Sequence, residues 1–595
     1  MRYSELAQVY DNIQSTAKRL EKTSIIAEFL KKIPDRELDV IVLLMQGKVF
    51  HSWDERKLGV AAKTVVKAIN VATGIGVSII EDEWRKTGDL GLVAEKLVGK
   101  KKQSTLFSSE LEVEKVYNNI VKLATLEGMG TVDARLKLVA ELLTSAKPME
   151  ARYIVRTVLE DLRVGVGEGL VRDAIVWAYF GEELGVFYDA ENNKLNFPEQ
   201  KREQFEKYVD AVQFAYNLKN DFSEVIRIAR SQRFEGLQNT AATVGKPMKS
   251  MLFQKAKDMG EAFRVVGKPA AIEYKYDGFR VQVHYNEGDV KLFTRRLEDV
   301  TKQFPDVVKS IRDNVRCNTA ILDTEIVGFN PKTNQYISFQ EISQRIKRKY
   351  NIEAMIKKYP VEVNVFDIMY YNGKMELESP FNKRRKLISQ IVEPKTRSIV
   401  LSRIMVTDKK DEAVSFYNEA LDMGEEGVMV KNLQGDYRPG LRVGKGVKLK
   451  PVMDSLELVV VEAEWGEGKR ANWLTSFTLA AMDENKELKA VGKVSTGLKE
   501  LESEGTTYKY LTDIMTPLIV SQKGRKARLK PDVVIEVNYE EIQKSTTYES
   551  GFALRFPRFV RLREERGVED ADTISHIEKL YKGQRNRDKY GSSVF

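Results

Sequence analysis

The stretch AIEYKYDGFRVQVHYNEGDVKLFTRR, residues 271–296, reads with a period of two: Val281, Val283 and Tyr285 alternate with Gln282, His284 and Asn286. Successive side chains of a strand point to opposite faces, so this is strand sequence. Asn286-Glu-Gly-Asp supplies a turn before Val290, Leu292 and Thr294, which predicts a hairpin. Upstream, to about residue 240, the pattern is helical. In TVDARLKLVAELLTSA, Leu136, Val139, Ala140 and Leu143 fall at i, i+3, i+4 and i+7. A second helix is expected from Thr23 or Ser24 as N-cap, with Ile25, Ile26, Phe29, Leu30 and Ile33 on one face, and another from Pro148. The run GVGEG at 165–169 follows helical and not strand sequence, so it is a weak dinucleotide fingerprint.

Downstream, LDTEIVGF, VEVNVFDIMYY, GEEGVMVKN and GVKLKP alternate with helical segments, predicting an α+β block on largely antiparallel sheet. From Ser455 the strands LELVVVEAEWGEG, TSFTLAAMD, KAVGKVSTG and DVVIEVNYEEI, separated by Gly-bearing turns, suggest a small closed β-barrel. The expected organisation is a helical domain over 1–243, an α+β domain over 244–453, and a barrel domain over 454–595 ending in a basic tail.

Composition excludes several chemistries. One cysteine, Cys317, and three histidines, His51, His284 and His576, set far apart, rule out disulfides and zinc fingers, and the histidines read as ordinary satisfied residues. A catalytic metal would rest on carboxylates, which favours Mg²⁺. No P-loop motif occurs. The balance of 96 Lys+Arg against 87 Asp+Glu leaves +9, a mild excess that points to nucleic acid only where basic residues cluster. The N-terminus MRYSELAQVYDNIQ has no apolar core, and the longest apolar run, Val40 to Met45, is far short of the ~18 residues that span a bilayer. A soluble intracellular chain with no membrane partner is expected.

The chemistry is expected at Lys275, placed by EYKYDGFR between Glu273, Asp277 and Arg280 at the mouth of a turn. A lysine nucleophile must shed its proton, which desolvation or neighbouring cations promote. Lys448 and Lys450, two apart on GVKLKP, would point to one side of a strand, press on Lys275 and neutralise phosphate. Arg555-Phe-Pro-Arg-Phe-Val-Arg-Leu-Arg-Glu-Glu-Arg566 holds five Arg and two Glu in twelve residues, a pattern suited to pyrophosphate or a phosphate backbone. Arg345-Ile-Lys-Arg-Lys349 is a further basic run.

These stretches, in this order and over essentially the whole chain, resemble the motifs of the covalent nucleotidyltransferases, specifically ATP-dependent DNA ligases of the archaeal and eukaryotic replicative type. The resemblance implies a helical DNA-binding domain, an adenylation domain and a C-terminal OB-fold. It implies that Lys275 forms the phosphoamide bond to AMP, that Glu273 reads the adenine amino group, and that Arg280 lies near the ribose and the nick. Arg295 matches an arginine of the nucleotide pocket, Glu325 a glutamate at the ribose and metal, Phe366 the aromatic stacked on adenine, and Glu426 the metal-binding glutamate. Arg442 and Lys448 resemble the pair at the ATP phosphates, with Lys450 beside them. Where the family reads Arg-x-Asp-Lys, this chain has Arg563-Glu-Glu565-Arg566, and Thr324 stands where many relatives have a small residue.

The activity so implied is nick sealing with ATP and Mg²⁺ or another divalent metal, on nicked duplex DNA, by a monomer with a sliding clamp as a candidate partner. The place implied is the cytoplasm with the nucleoid or, in a eukaryote, the nucleus. A swing of the barrel about a hinge near 451–455 is expected. An RNA ligase or a capping-type guanylyltransferase shares the lysine and barrel chemistry but does not need the large helical domain. A non-enzymatic DNA clamp would not need Lys275, Glu426 and Lys448. NAD⁺ as donor is disfavoured, because enzymes using it resemble an architecture with a cysteine zinc module.

Overall fold

The structure, a computed structural model, describes residues 1–595 apart from 101–109, 127–129, 338, 347–349, 441, 452–454, 467–469, 471, 502–504 and 585–595, and apart from the side chains of Gln340, Arg442 and Val443. The expected hinge and most of the basic tail therefore lie outside the described residues. Two compact units result: Met1–Leu252 with Gly278–Ser402 and Gln434–Val443, and Phe253–Asp277 with Arg403–Leu433 and Gly444–Phe595.

The first unit begins with helices between residues 3 and 238, interrupted by the hairpin β1 (Phe187–Asp189) and β2 (Lys194–Asn196). Apolar stripes at helical spacing bury Tyr10, Ile41, Val66, Ile120, Ile154, Val176 and Ile226 in one core. The stripe through Val139, Ala140 and Leu143 lies on a helix, Thr131–Ser145, and Pro148 does begin a helix, Pro148–Val158. The expected cap at Thr23 is a correction: the helix runs Arg19–Leu30 from Lys18. Thr23 lies inside it, its hydroxyl donating to the Arg19 carbonyl at 3.0 Å, so a residue that favours caps is satisfied by bonding one turn back.

The first unit also holds a sheet ordered β10 (Ile399–Leu401), β8 (Val361–Tyr371), β7 (Thr319–Gly328), β5 (Phe279–Asn286) and β6 (Asp289–Thr294), with β9 (Lys374–Met375) on β8. Its pairs are antiparallel except β10 with β8. The β5–β6 turn places Glu287 and Gly288 at φ 48° and 96°, the left-handed pair a two-residue hairpin loop needs. Arg345, which opens the basic run, is buried: it pairs with Asp306, donates to the Tyr359 carbonyl at 3.1 Å and lies over the Phe304 ring.

In the second unit a sheet runs β11 (Ile404–Thr407), β4 (Ala270–Lys275), β12 (Gly427–Asn432), β13 (Arg442–Leu449) and β3 (Leu252–Lys255). The C-terminal part is ordered β16 (Leu488–Val494), β15 (Leu474–Met482), β14 (Leu456–Trp465), β18 (Lys526–Leu529) and β17 (Ile519–Lys523). Further on, β19 (Val534–Asn538) joins β14 and β22 (Arg558–Leu562), while β20 (Glu541–Lys544) pairs β21 (Phe552–Arg555). Bulges in β14 at Val460/Glu462 and Glu464/Trp465 bend it, so Leu456–Val459 pairs β19 and Glu462–Glu464 pairs β18. The expected ring is not closed by backbone pairing among the described residues. Where β16 nears β21, Gly492 packs against Leu554, whose Cβ would be 3.3 Å from a Cβ on the glycine. An OB-fold is a partly open barrel, so this remains consistent with it. The chain then forms the helix Ile574–Gly583, followed by Gln584, whose side chain bonds both backbone groups of Ile542 at 2.6 and 2.9 Å.

Candidate active site

The two units carry the expected site residues separately. On β4 the strand period turns Glu273 and Lys275 to one face and Tyr274 to the other, where its ring lies 5.0 Å from that of Phe416. Across the sheet Lys275 faces Gly427, and Glu273 faces Met429, which faces Lys448 on β13. Gly427 has φ 135°, and a Cβ there would stand 2.2 Å from the Leu449 carbonyl oxygen, so only glycine fits. The close approach seats the neighbouring residue: the Glu426 backbone N–H donates to the Lys275 carbonyl at 2.9 Å.

The Glu426 carboxylate meets two ammoniums at one oxygen, Lys275 Nζ at 2.5 Å and Lys450 Nζ at 2.6 Å. Burial would push this carboxyl up, but the Lys275 and Lys450 charges overturn that and hold it well below the usual carboxylate range. Lys450 also lies 3.5 Å from Glu540, and Lys448 is half-buried on the same sheet. Behind Lys275, Glu273 makes a buried ion pair with Lys431 at 2.5 Å. The lysine expected as nucleophile thus sits in a cluster of alternating charge.

The other expected residues lie in the first unit. Arg280 on β5 grips Asp323 from Nε at 2.8 Å and donates to the Met251 carbonyl at 2.8 Å, while the Tyr437 hydroxyl donates to Asp323 at 2.7 Å. Arg280 stands opposite Glu325 in the β5–β7 register, and its guanidinium lies 5.5 Å from the centre of the half-buried Phe366 ring. A Cβ on Gly278 would be 2.4 Å from the Ile326 carbonyl oxygen, so the glycine of KYDG lets β5 lie against β7. Thr324 is buried with its hydroxyl donating to the Val281 carbonyl at 2.8 Å, and Arg295 is exposed just past β6. The Arg442 side chain lies outside the described residues, though its backbone begins β13.

Sequence reasoning missed Asp323, Tyr437 and Lys431. Asp323 had a signal, since a carboxylate two before Glu325 inside a buried strand needs a cation. Lys431 stands in the run GEEGVMVKN but had no assigned partner, and nothing local marks Tyr437.

Among the described residues no group of three or more His, Cys, Asp or Glu is placed to hold a metal. Glu426 meets both Lys275 and Lys450, and so small a donor set fits an ion taking most of its ligands from phosphate oxygens and water, as Mg²⁺ does.

Three family descriptions match in chain order: DNA ligase N terminus over residues 2–176, ATP dependent DNA ligase domain over 250–450, and ATP dependent DNA ligase C terminal region over 470–566. The chain is 45% identical over 588 residues to a DNA ligase of Nanoarchaeum equitans, covering 98% of this chain and 99% of the relative. It is 42% identical over 586 residues to one of Thermococcus fumicolans, covering 98% of each. The solved structure Pmar-Lig_PreS3 is alike in fold, with TM-score 0.55 at 18% identity over 94% of this chain and 99% of that one.

Proposed function

The chain belongs to the ATP-dependent DNA ligase family, and from that premise we propose that it seals nicks in duplex DNA through AMP carried on Lys275. The observation that carries this reading is the Lys275–Glu426–Lys450 cluster at the end of β4. In the first step Lys275 Nζ, freed of a proton, attacks the α-phosphorus of ATP. A P–N bond forms, the bond from α-phosphorus to the bridging oxygen breaks, and pyrophosphate leaves. In the second, an oxygen of the 5′-phosphate at the nick attacks the same phosphorus and returns the lysine amine. In the third, the 3′-hydroxyl attacks the 5′-phosphate and AMP leaves.

Glu426 stays ionised at neutral pH and orients the Lys275 side chain between reactions, while Lys450 shares its charge and is poised for phosphate. The roles of Glu273 at adenine, of Arg280, Arg295, Glu325 and Phe366 at the nucleoside, and of Arg442 and Lys448 at the phosphates complete the reading. Mg²⁺ held by Glu426 together with the phosphates would neutralise charge developing on them. The protein acts as a monomer, with a sliding clamp as a second partner. Purified protein incubated with ATP labelled on the α-phosphate is expected to retain label on a denaturing gel and lose it to nicked DNA. Lys275→Ala is expected to take up none. Equal labelling of the variant would sink the assignment.

A further inference from the structure

Three strands of the C-terminal part bring carboxylates and arginines side by side. Glu457 on β14 stands opposite Glu536 on β19, and Glu536 opposite Arg561 on β22. Two glutamates directly opposite each other repel, a cost to the sheet unless something offsets it. Arginines of the C-terminal motif do so. Arg561 Nε lies 2.6 Å from Glu536, and Arg563 bonds Glu536 at 3.1 Å, pairs with Glu457 and holds Glu565 at 2.7 Å. Arg566 reaches Glu457 at 3.4 Å. The Ser455 hydroxyl donates to the other Glu536 oxygen at 2.6 Å and, with Arg561 and Arg563, holds the pKa of that carboxyl down to about 2. Arg563 is only 11% exposed, against 60% for Arg561.

A free arginine side chain has many rotamers, and fixing it before the ligand arrives removes that cost from the reaction. We propose that Glu457 and Glu536 are positioning residues for the adenylation step, holding Arg561 and Arg563 in the orientation that meets the triphosphate, with no part in sealing a nick that already bears AMP. The proposal rests on the proposed function and on taking the C-terminal arginine run, a pattern suited to pyrophosphate, to serve the first chemical step, in which pyrophosphate leaves. It also gives Glu565 a use: where the family has aspartate, the longer side chain reaches Arg563 Nε.

The test compares two reactions in the full-length protein: single-turnover formation of labelled lysyl-AMP from ATP, and sealing of a nick synthesised with AMP on its 5′-phosphate. Glu457→Gln and Glu536→Gln are each expected to slow charging about tenfold, as loss of a charge-assisted hydrogen bond does, while sealing changes less than about twofold. Glu536→Asp is expected to recover part of the charging rate. Equal losses in both reactions, or faster charging in the glutamine variants, overturn the proposal. Arg563→Ala separates it from the underlying reading: if that variant charges like the wild type, the first-step role of the arginines fails. If it loses charging and the glutamine variants do not, only the positioning role fails. Should the glutamine variants not fold, Glu457→Asp and Glu536→Asp, which keep the charge and shorten the reach to the arginines, take their place, and a loss confined to charging supports the proposal while no loss overturns it.

Discussion

Glu426 binds two ammoniums through one oxygen, and that arrangement makes it both a structural and a chemical residue. Glu426→Gln leaves Lys275 and Lys450 without their shared charge, and the expected cost is about 3 kcal/mol at neutral pH, the order found when a buried pair loses one partner. Its carboxyl is depressed on folding, so its contribution is present above the ordinary value of 4.5 and is lost as pH falls through the lower folded value. Urea unfolding of wild type and variant at pH 7.5 and pH 3 should show the gap narrowing in acid. A gap unchanged between the two would contradict the ion-pair account. Glu273 and Lys431 offer a second contrast. Lys431→Met takes the paired cation from a buried carboxylate and should destabilise strongly, whereas Glu273→Leu with Lys431→Met should recover most of the stability but not the ATP charging. Recovery of charging by the double variant would remove Glu273 from the nucleotide site.

At the scale of elements, the strands are shaped by where their glycines and buried polar groups must sit. β5 carries His284 into the interior, where its Nδ1 accepts the Gly245 N–H at 3.0 Å. Burial and, next, the Lys291 charge push the imidazole down to about 3. The ring is neutral when folded and takes a proton near 6.5 when unfolded, so stability is full above 6.5 and declines as pH falls toward 3. The slope contributed is at most about 1.4 kcal/mol per pH unit, and His284→Asn should flatten the acid limb of stability against pH. An unaltered limb would show that the histidine titrates alike in both states. The strand itself was legible in its alternation of apolar and polar residues, but its burial was not, because Gln282 and His284 on the polar-reading face are buried as well. The Thr23 cap was not, because a threonine can bond one turn back inside a helix as well as at its start.

For the molecule as a whole, the three ligase regions follow one another on one chain, and the proposed nick sealing predicts that they engage DNA together. Contraction of the hydrodynamic radius on binding nicked DNA is the expected outcome, with affinity falling steeply as salt rises, since the contacts to a phosphate backbone release counterions. A radius unchanged on binding would argue against closure. At this scale the order of the three parts could be read from the residues in line. The extents of the two compact units could not, because each gathers segments far apart in the chain.

The period of two over 279–294, the helical stripes before about residue 240, and the ordered motifs from EYKYDG to the C-terminal arginines determined fold class and reaction from the sequence alone, because each is a local pattern or a resemblance carried in order. Tertiary structure alone decided which charges meet: Lys275 and Lys450 on Glu426, Lys431 on Glu273, Tyr437 on Asp323, Glu457 and Glu536 on the arginines. Strand registers bring together residues far apart in sequence, and an ion pair is a property of distance in space, which no linear spacing records.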